Sequence, residues 1–252
     1  MAGHNKWSSI KHKKGAKDAK RAKVWTKVTK EITVAARLGG GDPDANPRLR
    51  SALLAARAVN MPKVNIERAV KKGTGELEGA SYEEVSYEGY GPEGVAIIVD
   101  GLTDNTNRTV SEVRSIFSKR GGNMGAPGAV SWMFEEKGQI TVAADTVDFD
   151  ALFEVAVEAG ADDVEDLGEA GLLVTSARED LYQVTSALEA AEIAVGEAGL
   201  VKLPTNKVTL GDVSTAGKIL RLIEALEDSD DVQDVWSNAE ISDEIAAQLA
   251  EL

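Results

Sequence analysis

Between Ala16 and Leu38 the apolar positions recur at helical spacing. Trp25, Val28, Ile32, Ala35 and Ala36 fall on one arc, while Lys20, Lys23, Lys27 and Lys30 share the arc roughly opposite. The glycines at 39 to 41 end this helix. Asn46 followed by Pro47 is a cap and first-turn pair for a second helix bearing Leu49, Leu53, Ala56 and Val59. Pro62 stops that helix near Met61 and opens a third, with Ile66, Ala69 and Val70 on its apolar side. Lys71, Lys72 and Gly73 close it, placing cations at the negative end of the helix dipole and a glycine at the C-terminus. Residues 1–80 are therefore predicted to be a basic three-helix domain.

After the linker-like GTGELEGAS (73–81) the period changes. VAIIVDGL (95–102) predicts a buried strand, and Thr106 to Arg120 a helix with Val110, Val113, Ile116 and Phe117 inward. AVSWMFE (129–135) and GQITVAA (138–144) predict two strands around a Glu136-Lys137-Gly138 turn. A helix from Ser214 to Leu226 and a strand at DVQDVWSN (231–238) complete a split β-α-β pattern. The chain between them alternates in the same way. It has helices at 149–159 and 181–192 and strands near DDVEDLG (162–168), GLLVTSA (171–177) and AVGEAGLVKL (194–203). The predicted fold is multi-domain α and α+β: the helical domain, then two small ferredoxin-like α+β domains. One is discontinuous (81–144 and 211–252), and the other, acidic, is inserted in it (145–210).

Charge changes this picture. The chain of 252 residues has a formal net charge of -14, yet residues 1–80 hold 18 Lys+Arg against 7 Asp+Glu, and the remainder holds 10 against 35. One end of such a molecule attracts a polyanion and the other repels it, so the acidic domains would face protein partners or orient the molecule. There is no cysteine, so disulfides and thiolate-held metals are excluded. No apolar run approaches the roughly 20 residues needed to span a bilayer, and no apolar signal core precedes the first basic cluster. The expectation is a soluble cytoplasmic protein.

Several motifs fail on context. GYGPEG (89–94) matches a dinucleotide fingerprint by letter, but a strand follows it where a helix is required, and Pro92 removes an amide from any phosphate cradle. It reads as a turn. DPDANP (42–47) begins like a calcium loop but has Pro47 in place of the turn glycine and Leu53 in place of the closing glutamate. The only histidines, His4 and His12, stand among cations, which disfavours a metal pair and leaves the rest of the chain without a histidine base. The acid cluster DDVEDLGE (162–169) reads as the solvated face of a strand. No nucleophile-base set emerges, so no enzyme, cofactor or metal is expected.

What exceeds an ordinary solvated helix is purity of sign. Residues 1–30 hold ten Lys+Arg and one acid, whereas solvated helices interleave signs for i,i+4 pairing. Nucleic acid suits this better than a membrane, because Trp25, Val28 and Ile32 are needed for the core and are not available to insert into lipid. The candidate phosphate-gripping residues are Lys6, Lys11, Lys13, Lys14, Lys17, Lys20, Arg21, Lys23, Lys27 and Lys30. The acidic body does not forbid this, since repulsion fades over a Debye length of about 8 Å at physiological salt. Lysine positions more than it reads, so backbone binding with low intrinsic sequence preference is expected, to DNA or to structured RNA. A second candidate is the flexible, partly basic loop GGNMGAP (121–127), read either as a helix cap with a long turn or as a finger offering Lys119, Arg120, Asn123 and Met124 to a partner.

The segments MAGHNKWSSIKHKKGAKDAKRAK, NMPKVNIERAVKKG, YEGYGPEGVAIIVDGLTDNTNRT and WMFEEKG, in that order, closely resemble the YebC family along essentially the whole chain. The resemblance implies a cytoplasmic, non-enzymatic protein with a helical N-terminal domain and two α+β domains, acting as a DNA-binding transcriptional regulator. It also implies a rival reading. A mitochondrial relative is a translational activator, and bacterial members resemble ribosome-associated factors that bind ribosomal RNA and relieve stalling at proline runs.

Overall fold

The computed structural model describes residues 17–144 and 146–251. The chain is α+β and forms two compact units. Over the described residues, one comprises Val28–Gly79 with Glu136–Lys202, and the other 17–27, Ala80–Glu135 and 203–251. No described helix is long and apolar enough to cross a membrane.

In the first unit the three helices follow the sequence pattern. Helix α1 (Lys17–Gly39), whose residues as far as Lys27 belong to the second unit, buries Ile32, Val34, Ala35 and Ala36 in its C-terminal half. Helix α2 (Pro47–Ala58) is capped by Asn46, whose Oδ1 accepts from the Leu49 amide at 3.1 Å. The Asn46 Nδ2 group donates to the carbonyls of Ala35 and Gly40, both at 2.8 Å, so one buried amide caps α2 and ties it to the end of α1. Asn46→Ala removes all three bonds and is expected to destabilise this unit by about 2 kcal/mol, read as a lowered urea midpoint. Helix α3 (Lys63–Gly73) packs closely on α1, since a Cβ at Gly73 would lie 2.4 Å from the Thr33 carbonyl.

The same unit holds a four-stranded sheet in the order β5-β6-β4-β7, made of β4 (Phe134–Val142), β5 (Ala161–Asp166), β6 (Leu172–Ala177) and β7 (Val195–Pro204). The strand pairs β4-β6 and β5-β6 are antiparallel. Helices α5 (Phe149–Glu158) and α6 (Leu181–Ala190) close its core around Ile140, Leu152, Val174, Val184 and Leu188, and Leu54 of α2 packs against that core. The expected Glu136-Lys137-Gly138 turn does not exist. Ser131–Met133 is a 3-10 turn, and β4 then runs unbroken through all three residues. Gly138 marks a close approach, because a Cβ there would lie 2.5 Å from Ser176 Oγ and 2.7 Å from Leu181 Cβ.

The second unit is built on a sheet in the order β3-β1-β2-β9: β1 (Glu83–Tyr90), β2 (Ala96–Thr103), β3 (Asn123–Met124) and β9 (Val232–Ser237). Helix α4 (Thr106–Lys119) and helix α7 (Val213–Glu227) cover one face, burying Val113, Phe117, Ile219 and Leu222 against Val95, Ile97 and Val99. Strand β1 is not expected from the sequence pattern, because its glutamate-rich EEVSYEGY hides the alternation of Val85, Tyr87 and Gly89. The GYGPEG segment is the β1-β2 turn, with Glu93 and Gly94 at φ 58° and 73° and the Gly91 amide donating to the Val95 carbonyl at 2.8 Å. A short parallel pair, β8 (Val208–Thr209) with β10 (Ala239–Glu240), precedes helix α8 (Asp243–Glu251). Ile245 and Leu249 of α8 join the core, so the acidic C-terminal stretch is part of the fold.

Candidate nucleic-acid interface

The described part of the basic segment begins where α1 does. Lys6, Lys11, Lys13 and Lys14, with His4 and His12, lie outside the described residues, as do the side chains of Lys17 and Lys20. Arg21 is exposed, and its guanidinium sits 4.9 Å over the ring of Trp25, one turn on. Lys23 Nζ donates to the Asp228 carbonyl and to its Oδ1, both at 2.9 Å, and Lys27 Nζ donates to the Glu227 carbonyl at 2.8 Å. Glu227 ends α7, so both ammonium groups meet the carbonyls and the partial negative charge that a helix C-terminus presents. Lys30 is only 7% exposed. The expected lysine stripe is therefore divided on the described helix. Lys23 and Lys27 tie the N-terminal part of α1, which belongs to the second unit, to the end of α7 in the same unit, and Lys30 is buried.

The loop after α4 is tied to the fold by backbone hydrogen bonds. Gly121, at φ 79°, ends the helix, and the Gly122 amide donates back to the Phe117 carbonyl at 2.9 Å. Asn123 and Met124 then form β3 against the β1 edge. Lys119, Arg120 and Asn123 are exposed, whereas Met124 packs on the core. Beyond them, Glu88 of β1 accepts from the amides of Gly128 (2.7 Å), Val130 (2.7 Å) and Ser131 (2.8 Å). The Tyr90 hydroxyl and the Trp132 indole both donate to the Ala129 carbonyl, at 2.9 and 3.2 Å. Trp132 itself is 68% exposed, a large aromatic held outward on a fixed loop.

Burial alone would raise the Glu88 carboxyl, but the Val130, Gly128 and Ser131 amides outweigh it and hold the group below its ordinary range. A carboxylate with a depressed folded pKa stabilises the loop above its unfolded value and ceases to do so as pH falls through the folded one. The amide resonances of Gly128, Val130 and Ser131 are therefore expected to titrate together, with a midpoint below that of an ordinary glutamate, and Glu88→Gln is expected to abolish that transition. Neither Glu88 nor Trp132 is signalled by the sequence, since the first lies in a strand that the pattern hides and the second in a segment that reads as strand.

Asn105 and Arg108 belong to a different device. Asn105 caps α4 by accepting from the Arg108 amide at 3.0 Å. The Arg108 guanidinium donates to Asp231 at 2.6 Å and to Asp104 at 2.8 Å. Asp231 is buried and also accepts from the hydroxyls of Thr109 (2.7 Å) and Thr103 (3.2 Å). The hydrogen bond to Asp231, then that to Asp104, raises Arg108 above its ordinary range. The acid cluster lies on β5, with Val164 inward and Asp162, Asp163, Glu165 and Asp166 outward, and Asp162 accepts from Lys137 at 3.1 Å. Among the described residues no group of three or more His, Asp or Glu is placed to hold a metal ion.

Comparison with known proteins places these features in a family. A model of the "TACO1/YebC protein N-terminal domain" matches residues 5–76, and one of the "TACO1/YebC second and third domain" matches residues 82–239. A "probable transcriptional regulatory protein" of Syntrophobacter fumaroxidans is 56% identical over 250 residues, covering 99% of this chain and 100% of the relative. One of Geobacter sulfurreducens is 58% identical over 249 residues, with the same coverage. The crystal structure of a conserved hypothetical protein from Aquifex aeolicus superposes with a TM-score of 0.83 at 50% identity, covering 93% of this chain and 96% of that one. With family models matching nearly the whole length and relatives above half identity, the chain belongs to the TACO1/YebC family.

Proposed function

We propose that this protein is a nucleic-acid-binding regulator of gene expression, a DNA-binding transcriptional regulator that grips phosphates through its basic N-terminal segment and performs no catalysis. The observation that carries this reading is the ten Lys+Arg against one acid in residues 1–30 of a chain whose net charge is -14. The names of the relatives support the transcriptional part. The anchoring of Lys23 and Lys27 on α7 refines the assignment. Those two residues orient the basic segment, and the cations ahead of them, with Arg21, meet the phosphates. On that basis neutralising about five phosphates gives a log-log salt slope near -4.5 on B-DNA.

A second reading, a ribosome-associated factor binding ribosomal RNA, is favoured by one feature. The segment is nearly all lysine, and its single arginine, Arg21, is stacked on Trp25 and is not extended toward a groove. The two are separated by sedimenting cell lysate on a gradient and by titrating promoter and random duplexes. A specific-to-random affinity ratio above about a thousandfold supports transcription. Co-migration with ribosomal subunits that high salt abolishes supports translation.

A further inference from the structure

The strongest unexplained surface lies in the first unit, away from the basic segment in sequence and opposite to it in sign. From Gly138 to Ala177 the chain has ten Asp+Glu and no Lys or Arg. Within this stretch α5 turns Leu152 and Ala156 fully into the core, yet leaves Phe149, Phe153 and Val157 exposed at 37%, 43% and 44%. Spaced four apart, these three form one ridge along the helix, about 12 Å long at 1.5 Å per residue. The rings of Phe149 and Phe153 stack with centroids 6.1 Å apart, which makes a continuous apolar surface. Asp150, Glu154 and Glu158, one position further round the helix, are all exposed and form a carboxylate row beside the ridge. The strand on which α5 packs, β5, is the edge of its sheet and turns four more acids outward.

The chemistry of the border selects the occupant. Nucleic acid and anionic lipid are repelled by it, and a second copy pairing through this same face would set carboxylate rows against each other. A neutral apolar partner would strip water from the acids without pairing them. A segment that alternates apolar residues with lysines or arginines at helical spacing satisfies both features, inserting its apolar face on the ridge and its cations along the border. We propose that the Phe149-Phe153-Val157 ridge of α5 is a docking site for a lysine- or arginine-rich amphipathic helix of another protein.

The test uses the full-length chain and a labelled peptide of about 18 residues, about five turns of helix, with leucines on one face and lysines on the other. Binding is read by fluorescence anisotropy at physiological salt. The expected result is saturable binding that weakens at least about tenfold in Phe149→Ser/Phe153→Ser and again in Glu154→Lys/Glu158→Lys, with an oligolysine of equal charge binding more weakly than the amphipathic peptide. The substituted side chains are exposed, so thermal melts should match the parent. If the serine pair lowers the melting temperature, Val157→Ser alone carries the comparison. Absence of binding overturns the proposal. So does equal affinity for oligolysine with no effect of the serine substitutions, which would mean charge attraction alone. Concentration-dependent self-association of the free protein that Phe153→Ser abolishes would also overturn it, because the occupant would then be a second copy. Duplex binding by the same variants is expected to be unchanged, so failure here leaves the nucleic-acid reading standing.

Discussion

Reversal of Lys6, Lys11, Lys13 and Lys14 to glutamate should weaken duplex binding by about 100-fold or more at physiological salt and cut the salt slope by about 0.9 for each phosphate no longer neutralised. These four positions precede the described helix and belong to a stretch in which only one residue in thirty is acidic, so no counter-charge nearby in sequence offsets them. The contrast that gives the experiment its power is Lys23→Ala with Lys27→Ala. Their ammonium groups already donate to Asp228 and to the Glu227 carbonyl, so their removal should reduce affinity less per charge. It should also loosen α1, seen as faster amide exchange in its N-terminal turns. A variant set in which all six lysines contribute equally would mean that the intramolecular anchors open on binding, and a set in which none contributes would remove the basis of the proposed function.

The second large effect is structural. Asp231→Ala is expected to destabilise the second unit by about 3 kcal/mol, because it deletes a buried carboxylate on which three donors converge, takes the acceptor from the buried Thr103 hydroxyl and leaves the Arg108 guanidinium with Asp104 as its remaining carboxylate. The measurement is the urea midpoint at neutral pH. Asp228→Ala is the control. Its side chain is 74% exposed and its ion pair with Lys23 is solvated, so the cost should stay below about 1 kcal/mol. The two carboxylates are close neighbours in the chain and differ several-fold in expected effect because only one is sequestered from water.

Helices are legible where capping and period agree. Asn46-Pro47 sets the start of α2, and Asn105 that of α4, because a cap is a local interaction between residues three apart. The strands are less so. β1 is hidden because its apolar side is Val85, Tyr87 and a glycine that must stay small, a Cβ there lying 2.7 Å from the Asn123 carbonyl. The expected Glu136-Lys137-Gly138 turn fails for the same reason. Glycine signals a turn when the backbone must bend, and equally a crossing where another chain segment leaves no room, and the sequence does not distinguish the two.

The candidate site divides along the same line. Sign purity, the absence of thiols and of histidine outside the N-terminal segment, and the helical period of α1 are properties of composition and spacing, and the sequence alone determined them. Which lysines are engaged by α7 and why the loop after α4 is held by Glu88 depend on the fold, through pairs separated by 40 to 205 positions. Those were decided only by the tertiary structure, because an ammonium or a carboxylate takes its function from whichever partner the fold brings within about 3 Å, and that partner leaves no mark on the local sequence.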